Sequence, residues 1–196
     1  MIPWYAPVAR AVPALLLAIV VTFSADHSAV LGLATFGAFA LATGAIIGGF
    51  ALRMPGGTVR TMSIVQAAIA MLTGLAALLR MSGGLPLLIL LVSVFAALTG
   101  FLELYLGWRG RGRDRSARDW TFVGALTIVL AIAVLLVPAD FSHVFTGPDD
   151  VERELTASVI VVGLVGAYWV IVGLYLVIAG LSLKWAAQDA PEIEAS

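Results

Sequence analysis

Residues 86–108 read PLLILLVSVFAALTGFLELYLGW, and residues 109–118, which follow directly, read RGRGRDRSAR. The first stretch is apolar apart from one carboxylate, Glu103, and is long enough to cross a bilayer core as a helix. The second is a basic, glycine-containing loop of the kind that remains on the cytoplasmic side of a membrane. Together they predict a transmembrane helix that ends in the cytoplasm.

Five further apolar runs are bounded by charged residues or by glycine and proline. They complete a set of six predicted transmembrane spans, at residues 8–23, 30–52, 61–80, 86–108, 120–138 and 157–183. The composition agrees, because 61% of the 196 residues are hydrophobic, only 12% are charged, and the mean hydropathy is +1.05. We therefore predict an all-α integral membrane bundle that forms a single transmembrane domain.

The first span has a second interpretation. Arg10, the apolar run over residues 11–23 and the small residues Ser24 and Ala25 also fit a cleaved signal peptide. The internal repeat described below uses this segment as one of its helices, which favours a span.

Basic residues are distributed unevenly between the predicted loops. The predicted outer loops contain two, Arg80 and Arg153. The predicted cytoplasmic segments contain nine: Arg10, Arg53, Arg60, Arg109, Arg111, Arg113, Arg115, Arg118 and Lys184. The positive-inside rule therefore places both termini in the cytoplasm, with residues 184–196 as a tail. Since arginine far exceeds lysine, as in GC-rich bacterial genomes, the predicted location is the bacterial cytoplasmic membrane.

The longest predicted outer loop, residues 139–156, is acidic. Within it, Gly147-Pro148-Asp149-Asp150 predicts a turn into a helix whose first turn is acidic, as the helix dipole favours. The sixth helix would then extend beyond the membrane on the outer side.

Two histidines lie on the predicted outer face, His27 beside Asp26 and His143 near Asp140. Imidazole changes charge near pH 6.5, so one interpretation is a pH-sensitive face that suits an acid-stress sensor. A weak site for a divalent metal is a second interpretation, although the spacing matches no dedicated ligand set. The third is that all four are ordinary solvated loop residues.

Three of the spans share a short motif. The sequences FALATG at 39–44, FAALTG at 95–100 and YWVIVG at 168–173 each place an aromatic residue five positions before a glycine. The motif predicts three repeated helical hairpins, over residues 8–52, 61–108 and 120–183. Because one hairpin cannot bury its small-residue face alone, the three are expected to pack side by side.

This pattern resembles the HdeD-like family of small bacterial membrane proteins. The stretches that carry the resemblance are residues 98–104 running into Trp108-Arg109, residues 120–138 and residues 173–180. The resemblance implies a six-helix membrane fold, a biochemical activity that is not defined, and a role in acid resistance. It implies no catalytic residues.

Glu103 is the one acidic residue inside the predicted spans. A carboxylate at membrane depth is costly, so it is a candidate for function, for instance in a proton relay. It also lies less than two helical turns from Arg109, and the alternative is an intramembrane ion pair with Arg109, Arg53 or Arg111 that clamps helices together. Gln66, the other conspicuous polar residue, predicts an interhelical hydrogen bond.

Glycines predict where helices approach closely. Gly44 and Gly48 form a GxxxG motif, Gly100 belongs to the repeated motif, and Gly166, Gly173 and Gly180 recur every seven residues on one helix face. Packing inside the bundle is one use of these faces. Docking of a partner membrane subunit, or of a second copy of the chain, is the other.

Several function classes lack support. Phosphate-binding loops ending in Gly-Lys-Ser/Thr and the HExxH and GxSxG motifs do not occur, so we predict neither an enzyme nor a cofactor. The net charge is −1 and the basic loop has no interleaved aromatic residues, which argues against nucleic acid. The leading hypothesis is a non-enzymatic protein of cell-envelope or acid-stress physiology. The alternatives are an accessory subunit of a larger membrane complex, such as an envelope lipid transporter, and a small channel or transporter.

Overall fold

Each long apolar run of the sequence forms a helix, because a backbone surrounded by lipid must satisfy its hydrogen bonds within the segment. The computed structural model describes residues 3–146 and 152–188. Its helices are α1 (Tyr5–Phe23), α2 (Ala29–Arg53), α3 (Thr58–Leu79), α4 (Gly84–Gly110), α5 (Ala117–Leu135) and α6 (Ala157–Gln188), with one 3₁₀ turn at Met81–Gly83. All six helices are long and apolar enough to cross a membrane. The predicted all-α bundle of six membrane-spanning helices is confirmed.

The outer surface of the bundle is strongly apolar. Phe23, Leu72 and Leu136 are 84%, 68% and 76% exposed, and many other large apolar side chains also point outward. In water, contiguous apolar patches of this kind drive association. Lipid is therefore the solvent for this surface, and the chain is a multi-pass membrane protein.

The helices form a closed ring around a centre. Helices α2, α4 and α6 contact one another, and each of α1, α3 and α5 packs against two of these three. The most extensive contacts join α2 to α3, α4 to α5 and α6 to α1. These pairs do not coincide with the predicted hairpins α1–α2, α3–α4 and α5–α6, whose helices pack less closely. The hairpin repeat itself stays a prediction.

Glycines lie where these closely packed pairs meet. A Cβ atom at Gly44 would lie 3.1 Å from the Ala67 carbonyl oxygen of α3, and one at Gly100 would lie 3.0 Å from the Gly124 carbonyl oxygen of α5. The other predicted packing glycines also face neighbouring helices, Gly48 facing α3 and Gly166, Gly173 and Gly180 facing α1. All six predicted packing glycines thus face helices of the same chain.

The two ends of the bundle differ in charge. One end of the bundle carries residues 54–57, residues 111–116 and both ends of the described chain. It holds most of the arginines, and we call it the basic end. Lys184 Nζ lies 5.0 Å from the centre of the Trp4 ring at this end. The opposite end, here the acidic end, carries Asp26, Asp140, Glu152 and Glu154. The assignment of the basic end to the cytoplasm stays a prediction.

The acidic end carries a β-hairpin where the sequence predicted a helical extension. Strand β1 (Ser142–Thr146) pairs antiparallel with β2 (Glu152–Thr156), with His143 opposite Leu155. Helix α6 begins only at Ala157, so the predicted acidic first turn and outward extension are wrong. The predicted turn at residues 147–150 lies outside the described residues. Val144, Phe145 and Thr156 favour strand because β-branched and aromatic side chains suit an extended backbone.

Gly124 provides a test of the close pairing of α4 with α5. A Cβ atom there would lie 2.7 Å from the Leu104 backbone nitrogen and 2.8 Å from the Gly100 carbonyl oxygen, so Gly124→Ala must push the two helices apart. We expect the free energy of unfolding in detergent micelles to fall by about 1–3 kcal/mol.

The control for this variant is Gly49→Ala, because nothing lies within 4 Å of a Cβ atom at Gly49. The control should be neutral or stabilising by up to about 1 kcal/mol, since alanine favours the helix. Equal losses in the two variants would contradict the packing described for Gly124.

Candidate functional site

Three polar side chains from three helices meet near the centre of the bundle. Glu103 comes from α4, Arg10 from α1 and Gln66 from α3. The Arg10 Nη2 atom lies 2.5 Å from Glu103 Oε1, and Gln66 Nε2 donates a hydrogen bond to the same oxygen at 2.9 Å. Since Glu103 is only 2% exposed, its charge depends on these partners rather than on water. We call these three residues the central cluster.

The cation of the ion pair differs from the prediction. Arg109, the expected partner of Glu103, is exposed, and so are the alternatives Arg53 and Arg111. Six residues along an α-helix correspond to about 600° of rotation, which leaves Arg109 about 120° away from the face that carries Glu103. The predicted Glu103–Arg109 pair is therefore wrong, and Arg10 takes the place of Arg109.

Arg10 is the member of the central cluster that the sequence pattern does not single out, because the positive-inside rule groups it with the cytoplasmic charges. Helix α1 begins at Tyr5, so Arg10 lies more than one turn inside it. A signal was present, since Arg10 falls inside the predicted span 8–23 and a cation within a span requires a nearby anion. The predicted interhelical hydrogen bond of Gln66 is confirmed, and its acceptor is Glu103.

A cavity of about 20 Å³ adjoins the central cluster, which is enough for one water molecule. Four residues with hydroxyl groups line it: Thr43, Thr99, Thr127 and Tyr168. Thr127 Oγ1 and the Tyr168 hydroxyl lie 2.9 Å apart and share a hydrogen bond. Thr99 Oγ1 donates to the Phe95 carbonyl oxygen of its own helix. This inner cavity is therefore polar although it lies in the middle of an apolar bundle.

Two buried polar atoms at this cavity lack a partner. Among the described residues, Thr43 Oγ1 and Arg10 Nε have no hydrogen-bond partner, and both residues line the inner cavity. Thr43 is 6% exposed, so bulk water does not solvate its hydroxyl. Buried polar groups in folded proteins are nearly always satisfied, by protein or by a bound molecule.

A second cavity, of about 70 Å³, lies between the central cluster and the basic end. Arg10, Gln66 and Ile47 line both cavities, so the two meet at the cluster. Residues at the helix ends line the outer cavity toward the basic end, among them Pro7, Met54, Asp119 and Trp120. The two cavities form a path from the basic end to the central cluster, along which polar side chains such as Ser63, Ser116 and Asp119 lie among apolar ones.

Aromatic side chains lie on the other side of the cluster. Phe39 packs against Phe95 and Trp169 with ring centroids 6.0 and 5.1 Å apart, and Phe36 packs against Phe95 at 5.5 Å. These rings are buried, and buried Leu33 and other aliphatic residues join them in the same core. The path from the basic end therefore meets an apolar layer on the side of the cluster that faces the acidic end.

The predicted outer-face residues lie at the acidic end, away from the central cluster. Asp26, Asp140 and His143 are exposed and His27 is partly exposed. The Asp26 carboxylate accepts hydrogen bonds from the Ser28 N–H and hydroxyl, each at 2.8 Å, next to the start of α2. Within residues 3–146 and 152–188, no group of three or more histidine or acidic side chains is placed to hold a metal ion. The pH-sensitive outer face stays a prediction.

Comparisons with protein-family models, with curated proteins and with solved structures gave no match. The resemblance to the HdeD-like family stays a prediction. Function must therefore be inferred from the geometry of the central cluster and its cavities.

The ion pair of the central cluster can be tested by removing its charges singly and together. Arg10→Met leaves a buried carboxylate without its cation, and Glu103→Leu leaves a guanidinium without its anion. We expect each single variant to lose about 3–5 kcal/mol of unfolding free energy in lipid bicelles. The double variant Arg10→Met/Glu103→Leu contains neither charge and should be more stable than either single variant.

Arg109→Met is the matched control, because Arg109 is exposed and should contribute little. A double variant that loses the sum of the two single losses would contradict the pairing of Arg10 with Glu103.

Proposed function

We propose that the chain is a non-enzymatic membrane protein that binds a small anion, such as a short carboxylate, at its central cluster. The observation that carries this proposal is the pair of buried atoms without partners, Arg10 Nε and Thr43 Oγ1, at the wall of a polar cavity. A ligand that accepts hydrogen bonds would satisfy both atoms.

Hydrogen-bond donors at this site favour an anion, since Arg10 already neutralises the Glu103 carboxylate that lines the same cavity. Arg10 Nε is a donor, the Thr43 hydroxyl is able to donate, and the Gln66 amide has a second hydrogen beyond the one given to Glu103. Guanidinium groups bind carboxylate oxygens with strong, charge-assisted hydrogen bonds. The inner cavity, about 20 Å³, has space for one water-sized group such as a single carboxylate oxygen, and the outer cavity, about 70 Å³, would hold the rest of a ligand of a few non-hydrogen atoms.

Access from the basic end also favours an anion. The outer cavity extends from the central cluster toward this end, where Arg53, Arg60 and the arginines of residues 109–118 lie. A cluster of positive charge raises the local concentration of anions and speeds their entry. The apolar layer of Phe36, Phe39, Phe95 and Trp169 closes the other side, so the arrangement fits a site that is open to one side rather than a continuous pore.

The predicted acid-stress role is compatible with such a site. Short carboxylic acids cross a bilayer in their neutral form and ionise in the cytoplasm, so their anions accumulate there when the medium is acidic. With the basic end in the cytoplasm, as predicted, a bundle that binds these anions would respond to that accumulation. This link depends on the resemblance to the HdeD-like family and on the predicted orientation.

The accessory-subunit role is the alternative. The six predicted packing glycines offer it little support, because they are already in contact with helices of the same chain. Recovery of a stoichiometric partner after gentle detergent extraction and mass spectrometry would favour it over the anion-binding role.

Acetate is the probe for the proposed site. We expect acetate, titrated into the purified protein in lipid nanodiscs at constant ionic strength, to raise its unfolding temperature in a saturable manner. Thr43→Val preserves the shape of the side chain and removes the hydroxyl, and should weaken acetate binding about tenfold, as expected for one hydrogen bond to a charged group. Arg10→Gln should abolish the effect.

Two controls match these variants. Thr73→Val removes a buried hydroxyl that is bonded to its own helix at the Ile69 carbonyl oxygen and does not line the cavities. Arg80→Gln removes one positive charge at the acidic end. Both should bind acetate as the unaltered protein does. If the unaltered protein shows no saturable response, or if Thr43→Val binds acetate as tightly as Thr73→Val does, the proposal is wrong.

A further inference from the structure

A groove at the basic end combines positive charge with an apolar wall. It has a volume of about 630 Å³ and lies between the loop that joins α4 to α5 and the side of α6. Arg111, Arg115 and Arg118 line its charged part. Phe122, Ala125 and Tyr175 belong to its apolar part, and we call the whole the arginine groove.

The apolar part lies along the membrane-spanning helices α5 and α6. Phe122 lies five residues inside α5, which begins at Ala117, and Ala125 lies almost one turn further along. The rings of Phe122 and Tyr175 stack with their centroids 4.1 Å apart, so they form a flat apolar wall between α5 and α6. The groove thus runs from the arginines at the basic end onto the apolar sides of the membrane-spanning helices α5 and α6.

The acidic side chains near the groove do not cancel its positive charge. Asp114 lines the groove, and its Oδ1 atom accepts the Ser116 N–H at 2.8 Å, just before α5 begins. Asp119 accepts the Tyr175 hydroxyl at 2.8 Å. Three exposed guanidinium groups therefore face one carboxylate within the lining, which leaves an excess of positive charge.

We propose that the arginine groove binds an anionic phospholipid, with the phosphate on Arg111, Arg115 and Arg118 and an acyl chain along Phe122 and Ala125. Charge complementarity selects the anionic headgroup, and basic pockets between membrane helices are a recognised setting for such lipids. The apolar wall selects a lipid over a soluble phosphate. The site is independent of the central cluster and of the anion proposed to bind there.

Native mass spectrometry of the full chain in detergent tests this proposal. Phosphatidylglycerol and phosphatidylcholine with identical acyl chains are titrated, and the fraction of protein with one bound lipid is measured. We expect preferential retention of one phosphatidylglycerol. Arg111→Gln/Arg115→Gln should weaken its binding by at least about tenfold, since each guanidinium contributes to attraction of the headgroup.

The matched control is Arg109→Gln/Arg113→Gln, which removes the same charge from the same loop at positions that do not line the groove. It should bind phosphatidylglycerol within about twofold of the unaltered protein. Equal losses in the two double variants would overturn the proposal, because they would indicate diffuse attraction to the whole loop.

Two further measurements distinguish a seated lipid from a bound headgroup. Ala125→Trp fills the apolar part and leaves all arginines in place, so it should lose phosphatidylglycerol binding without loss of thermal stability. Soluble glycerol phosphate should not compete with the lipid. Unchanged binding in Ala125→Trp, effective competition by glycerol phosphate, or equal binding of the two lipids by the unaltered protein would each overturn the proposal.

Discussion

A carboxylate buried in a lipid-solvated bundle must find its counter-charge within the protein, and this requirement organises the centre of this structure. Glu103 is supplied with a cation by α1 and with a hydrogen-bond donor by α3, so one side chain connects three helices. The first helix is thereby tied to the middle of the chain as well as to α6. Charge and helix packing therefore act at the same place.

The central cluster is asymmetric with respect to the predicted repeat. Three residues after the shared glycines stand Ile47, Glu103 and Leu176, so only one of three equivalent positions is charged. Ile47 and Glu103 both line the inner cavity, and Leu176 lines the outer one. A ring of similar helices thus surrounds a centre that is polar on one side. The predicted repeat therefore carries a single charged pair, at the centre of the ring, and the proposed anion site lies there.

Apolar runs bounded by charges were sufficient to predict all six helices, because a backbone in hydrocarbon must satisfy its hydrogen bonds within its own segment. Glu103 and Gln66 stood out as polar residues within those runs. The partner of Glu103 was not predictable from its own helix, since it depends on the closure of the ring between α1 and α6, which no local pattern encodes. The strand pair Ser142–Thr146 and Glu152–Thr156 was not predicted, because acidic residues also suit the start of a helix. The arginine groove was equally hidden, since only the fold places Tyr175 beside Phe122.

The most direct measurement is the distance between the Arg10 guanidinium and the Glu103 carboxyl group in a bilayer. Solid-state NMR of protein labelled with ¹⁵N-arginine and ¹³C-glutamate in lipid vesicles detects such a pair as a cross-peak between side-chain nitrogen and carboxyl carbon. We expect a strong cross-peak that disappears in Arg10→Lys and persists in Arg109→Lys. Its absence from the unaltered protein, or its loss in Arg109→Lys instead, would contradict the pairing of Arg10 with Glu103.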